Sequence, residues 1–200
     1  LEQLQRRFAA RADALSGVET VAVAGSLGRL EAAADSDIDY IIVLRDGLAP
    51  AAIAAQVAIV HELFLSAPFK APKVDGIYRH GIARASLLDP RALGSLSEAP
   101  EIFGKRMALL LDARSVFASA RFHALQGALI EWYGSDFLAA SPARGWTYLS
   151  NDIVRYLHSY AGWQQYKFTR SSDDSWQLRQ AKFRTSRLLS FAALMFLLGE

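Results

Sequence analysis

Residues 21–44 read VAVAGSLGRLEAAADSDIDYIIVL: two apolar, β-branched runs separated by a glycine-containing turn and an acidic segment. Runs this short and this rich in Val and Ile suit strands, and continuous apolar character suits strands lying centrally in a sheet. With Ile38–Leu44 as a strand, Asp37 and Asp39 leave its mouth on one face, about 6 to 7 Å apart along the backbone. A carboxylate pair at that spacing can share hard divalent cations.

The flanking sequence extends the pattern. Residues 1–16 place Leu, Phe and Ala at helical intervals among Arg, Gln and Glu, and Ser16-Gly17 ends the run. Thr20–Ala24 is the first strand, and Gly25-Ser26-Leu27-Gly28 follows as a tight bend. Residues 29–34 suit a short helical turn and Asp37–Leu44 is the second strand. Asp46-Gly47 breaks that strand, Pro50 suits a first helical position, and Ala51–Leu65 is an alanine-rich helix. Val74–Ala83 is a strand or hairpin candidate. Residues 90–100, with Gly, Ser and Pro, read as a connection. Beyond it the periodicity is helical over Ile102–Phe117, Arg121–Tyr133, Trp146–Thr169 and Asp174–Leu198. The expected organisation is an α/β domain over residues 1–95, then an all-α helical domain over residues 96–200.

Composition narrows the chemistry. The chain of 200 residues is 52% hydrophobic, enough for a proper core, and its 22 basic and 20 acidic residues nearly balance. No strong overall field draws it to nucleic acid or to a membrane surface, so a nucleic-acid ligand is not expected and any basic footprint is local. Without cysteine there are no disulfides, thiolate metal sites or cysteine nucleophiles, which fits a reducing, cytoplasmic setting. His61, His80, His123 and His158 show no metal-ligand spacing. The longest apolar stretch, Leu188–Leu198, is too short to span a bilayer. A first residue other than Met and a last residue within a helical pattern suggest a segment of a longer chain, so other domains of that chain are expected partners.

The Gly-Ser turn and the Asp pair complement each other. Backbone N–H groups of Gly25–Gly28, with the Ser26 hydroxyl, would face phosphate oxygens, while Asp37 and Asp39 would hold cations that neutralise them. A dinucleotide-binding fingerprint would need a further glycine where Val23 stands, and a P-loop would need Gly-Lys-Ser/Thr, which is absent from the chain.

Gly25-Ser26, Gly28-Arg29 and Ser36-Asp37-Ile38-Asp39 together resemble the signature of the DNA polymerase β-like nucleotidyltransferases. Within that superfamily the Gly-x-x-Gly-Arg form is similar to bacterial nucleotidyltransferase-like domains related to the PII-protein uridylyltransferases. A looser likeness in the helical half rests on residues 151–156 and 176–187. The resemblance implies a mixed sheet flanked by helices, with Mg²⁺ or Mn²⁺ at Asp37 and Asp39. It implies transfer of a nucleoside monophosphate from a nucleoside triphosphate to a hydroxyl of a protein or small-molecule acceptor. Gly25, Ser26, Gly28, Arg29 and Ser36 would serve the nucleotide. The family's third carboxylate falls on a later strand, for which Asp75 is the first candidate as catalytic group and metal ligand, and Asp89 the second.

Two other accounts compete. A catalytically lapsed nucleotide-binding regulatory module would fit a missing third carboxylate. A toxin–antitoxin component ranks last, because Arg155 and His158 are spaced too closely for the partner ribonuclease's motif. In the helical half, Arg179, Lys182 and Ser186 share one helical face and Arg184 and Arg187 another, so the first face, helped by Arg155, could meet a triphosphate. Trp146, Trp163, Trp176, Tyr156 and Tyr160 read as inter-helix packing.

Overall fold

The computed structural model describes residues 1–32, 36–65, 78–134, 146–170, 177, 180–181 and 183–199. They form two compact units, Leu1–Trp132 and Tyr133–Glu200.

The first unit is built on a four-stranded mixed sheet in the order β3-β2-β1-β4. Helix α1 (Glu2–Ala9) and a 3₁₀ turn (Ala12–Leu15) lead into β1 (Val18–Ala24), which passes directly into a helical turn, α2 (Gly25–Gly28). Strand β2 (Asp39–Leu44) runs antiparallel to β1, with Ala24 opposite Asp39. After α3 (Pro50–Leu65), the edge strand β3 (Ile82–Ala83) pairs parallel to β2. The short helix α4 (Arg84–Leu87), α5 (Pro100–Leu111), β4 (Arg114–Phe117) and α6 (Ser119–Gly134) follow. Strand β4 is antiparallel to β1.

Alternation along β2 divides the core as the two-residue period requires. Tyr40, Ile42 and Leu44 join one cluster with Leu4 and Phe8 of α1 and Val60 and Phe64 of α3. Ile41 and Val43 join the other with Ala108 and Leu109 of α5 and Phe122, Leu125 and Leu129 of α6. Each fully covered Ile or Val side chain contributes about 1.5–3 kcal/mol. Polar links fix the layers: the Gln5 amide donates to the Ser115 carbonyl, and Gln56 accepts from the Gly17 N–H while donating to the Ala14 carbonyl. The buried Thr20 hydroxyl donates to the Phe117 carbonyl at 2.6 Å, beside an irregularity in the β1–β4 register.

Expectations change for three elements. Residues 114–117 are a strand, not the end of a helix over Ile102–Phe117, because Asp112 ends α5 and Arg-Ser-Val-Phe takes the open edge of β1. The first unit reaches Trp132: β4 extends the edge of the sheet, and α5 and α6 cover a face that would otherwise be bare. In the 78–83 stretch only Ile82–Ala83 is strand, and within 29–34 the described residues 29–32 lie outside any helix; the helical turn is the Gly-Ser segment itself.

The second unit is helical. Its described residues include helix α7 (Thr147–Arg170), a wider π-type turn (Phe183–Arg187) and α8 (Leu188–Gly199), with Tyr156 against Phe191 and Tyr160 stacked on Phe183. The Tyr133 hydroxyl donates to the buried Asp152 carboxylate at 2.7 Å. Trp163 departs from the packing expected of it: it is 52% exposed and stacks on Tyr166 of its own helix. No helix among the described residues is long and apolar enough to cross a membrane.

Candidate functional site

The site is built where β1 ends and β2 begins. Gly25 has φ of +63°, a left-handed conformation that L side chains rarely adopt, and this lets β1 turn at once into α2. The same position lies under a carboxylate: a Cβ on Gly25 would stand 2.8 Å from Oδ2 of Asp39. The missing side chain is what lets Asp39 lie over the turn. Pairing of Ala24 with Asp39 sets this register, and strand alternation puts Asp39 on the sheet face of Ile41 and Val43.

Asp39 is half-buried, and Asp37, in an isolated bridge just before β2, is exposed. Ser26 and Ser36 are both half-buried, on the turn and before Asp37 respectively. Helix α2 opens on Ala24, which has no side chain to cap it, and N–H groups in a first helical turn have no acceptor within the helix.

Gly28 and Arg29 tie the turn to its surroundings. A Cβ on Gly28 would fall 2.0 Å from the Asp112 carbonyl oxygen and 2.9 Å from that of Val23, so only glycine lets the α5–β4 corner pack against the turn. The Gly28 carbonyl accepts from Arg114 Nε at 2.7 Å. Arg29, 12% exposed in its side chain, is held by the carboxylates of Asp112 and Glu31, which ties its guanidinium to the corner behind the turn. Sequence reasoning missed Asp112 and Arg114. The only local signal was an acid and a base bracketing a helix end, and their partners lie more than eighty residues away.

Helix α2 closes with two hydrogen bonds, from the Glu31 N–H to the Ser26 carbonyl at 2.7 Å and from the Leu30 N–H to the Leu27 carbonyl at 3.2 Å. Leu30 sits between them at φ of +62°, where helices usually place glycine, and is 61% exposed.

The remaining sequence candidates scatter. Asp75 lies outside the described residues, as do Trp176, Arg179 and Lys182. Asp89 caps a 3₁₀ turn, accepting from the N–H and guanidinium of Arg91; that bonding holds its carboxyl below the usual range and spends it locally. Arg155 lies 3.8 Å from Asp152 on its own helix, and Arg184 is exposed. Among the described residues no three His, Asp or Glu side chains converge as a metal-binding group.

The comparisons leave the chain by itself. No protein-family model, curated protein or solved structure matches it. The two carboxylates, the glycine turn beneath one of them and the brace behind that turn are therefore the material for a functional reading.

Proposed function

We propose that the chain is a metal-dependent nucleotidyltransferase that moves a nucleoside monophosphate from a nucleoside triphosphate to a hydroxyl of a protein or small-molecule acceptor, on a DNA polymerase β-like fold. The observation that carries this reading is the Asp39 carboxylate lying over the glycine turn, with Asp37 two residues before it. The donor set suits Mg²⁺ or Mn²⁺: two carboxylates with hydroxyls nearby are hard oxygen ligands, and Mg²⁺ commonly takes one or two carboxylates and fills its shell with water and substrate phosphate. Asp37 and Asp39 would hold the cation, which when bound supplies charge neutralisation at the triphosphate.

The chain's own groups account for the rest. The amides of Gly25–Gly28 and the Ser26 hydroxyl bind phosphate oxygens, and Ser36 orients the acidic segment. The brace of Arg29, Asp112 and Arg114 keeps the turn from shifting when a charged ligand arrives. Phosphoryl chemistry rests mainly on such positioning and electrostatics. Asp75 would complete the carboxylate set and take the acceptor's proton.

A second reading, a nucleotide-binding module without turnover, is favoured by Asp89, the other candidate for a third carboxylate, being engaged by Arg91. One experiment separates the two. The chain is mixed with each labelled triphosphate, Mg²⁺ or Mn²⁺ and cell extract, and label is sought on a defined acceptor together with released pyrophosphate. Transfer that disappears in Asp37→Ala and Asp39→Ala supports the enzyme; tight metal-dependent binding without transfer supports the module. Transfer surviving in both variants refutes both.

A further inference from the structure

A concavity of about 470 Å³ lies along α3 where residues 79–81 approach β3. Its floor is one stripe of the helix: Pro50, Ile53, Ala54, Val57, Ala58 and His61 recur at three- and four-residue intervals. The opposite wall is Arg79, His80 and Gly81. That wall is tied down on two sides, because His61 Nε2 donates to the Arg79 carbonyl at 3.0 Å and the buried Lys105 ammonium donates to the His80 carbonyl at 2.6 Å. The volume lies within the range of small-molecule sites, which are mostly apolar, pre-formed and supplied with a few polar groups.

Charge is distributed unevenly around this space. The helical floor is aliphatic from Ile53 to Ala58, while His61, Arg79 and His80 gather at one end, and no acidic side chain is among the described lining residues. Burial, with the charge of nearby Arg79, holds His61 below the usual histidine range, against the opposing hydrogen bond to the Arg79 carbonyl. An anionic group at that end would meet a guanidinium and two imidazoles, and its apolar body would cover Ile53, Val57 and the alanines.

We propose that this groove binds a small organic anion with an apolar body, a carboxylate being the simplest, independently of the nucleotide site. The two sites share no residue, so failure of one leaves the other standing. The probe is 2-naphthoate, with 2-naphthamide as its neutral counterpart, titrated into the isotope-labelled chain and followed by amide chemical shifts. Saturable binding of the naphthoate, with shifts centred on residues 53–61 and 79–81 and affinity at least about tenfold above the amide, is expected. Ala58→Trp, at an exposed helix position, fills the floor and abolishes binding, and Arg79→Glu weakens the naphthoate about tenfold or more while leaving the amide unchanged. Asp39→Asn binds naphthoate as the parent does. Should Ala58→Trp fail to fold, Ala54→Trp, also exposed, takes its place. No saturable binding, equal binding of acid and amide, or binding untouched by the tryptophan overturns the proposal.

Discussion

The two units use apolar residues in different ways. In the first, Ile41, Ile42 and Val43 are each fully buried, because helices cover both faces of the sheet. In the second, α8 (Leu-Leu-Ser-Phe-Ala-Ala-Leu-Met-Phe-Leu-Leu-Gly) is at least as apolar, yet Leu189, Phe196 and Leu197 are each about two-thirds exposed. Composition alone does not decide burial; the number of neighbouring layers does. The first unit also buries charge and pairs it. Arg106 is inaccessible to solvent, is held by both carboxylate oxygens of Glu98 and the Leu87 carbonyl, and lies 4.3 Å from the centre of the Trp132 ring.

Mutation sharpens that contrast. Removing Glu98 leaves a buried guanidinium uncompensated, so Glu98→Ala is expected to cost about 3–5 kcal/mol in urea unfolding. Ile42→Ala opens a cavity in the covered sheet and should cost about 2–5 kcal/mol, whereas Leu197→Ala on the exposed side of α8 should stay within about 0.5 kcal/mol. Equal losses at the two positions would break the comparison.

Tyr40 gives the covered sheet a pH signature. Burial raises its hydroxyl to about 12, against 10.0 for a free tyrosine, despite the opposing charge of Arg79. The unfolded chain therefore loses this proton first. Its contribution is intact below pH 10 and is lost as pH rises from 10 towards 12, by up to about 3 kcal/mol. Tyr40→Phe, which keeps a ring for the stacking on Phe64, should flatten that alkaline limb of a denaturation series. A smaller effect is expected at Leu30, where glycine would relieve the left-handed backbone without losing much burial. A gain of up to about 1 kcal/mol should follow from Leu30→Gly, measured by thermal unfolding.

Legibility in the sequence followed the range of the interactions. Strands β1 and β2 and helix α3 were readable because each carries its own signal: β-branched runs, Pro50 at a helix start, and Asp46-Gly47 between. Strand β4 was not, since four residues are too few to show a period and its identity comes from the open edge of β1. The Gly-Ser turn was legible as a turn, and the reason for its second glycine was not. Gly28 answers to the Asp112 carbonyl, eighty-four residues on.

The central claim is that Asp37 and Asp39 hold a divalent cation beside the Gly25 turn. Titrating Mn²⁺ with a non-hydrolysable triphosphate into the isotope-labelled chain tests it most directly, because the ion broadens nearby amide signals. Selective loss at Gly25–Gly28 and Ser36–Tyr40, abolished in Asp37→Asn and Asp39→Asn, is the predicted result. Broadening centred elsewhere, or unchanged in those variants, would contradict it.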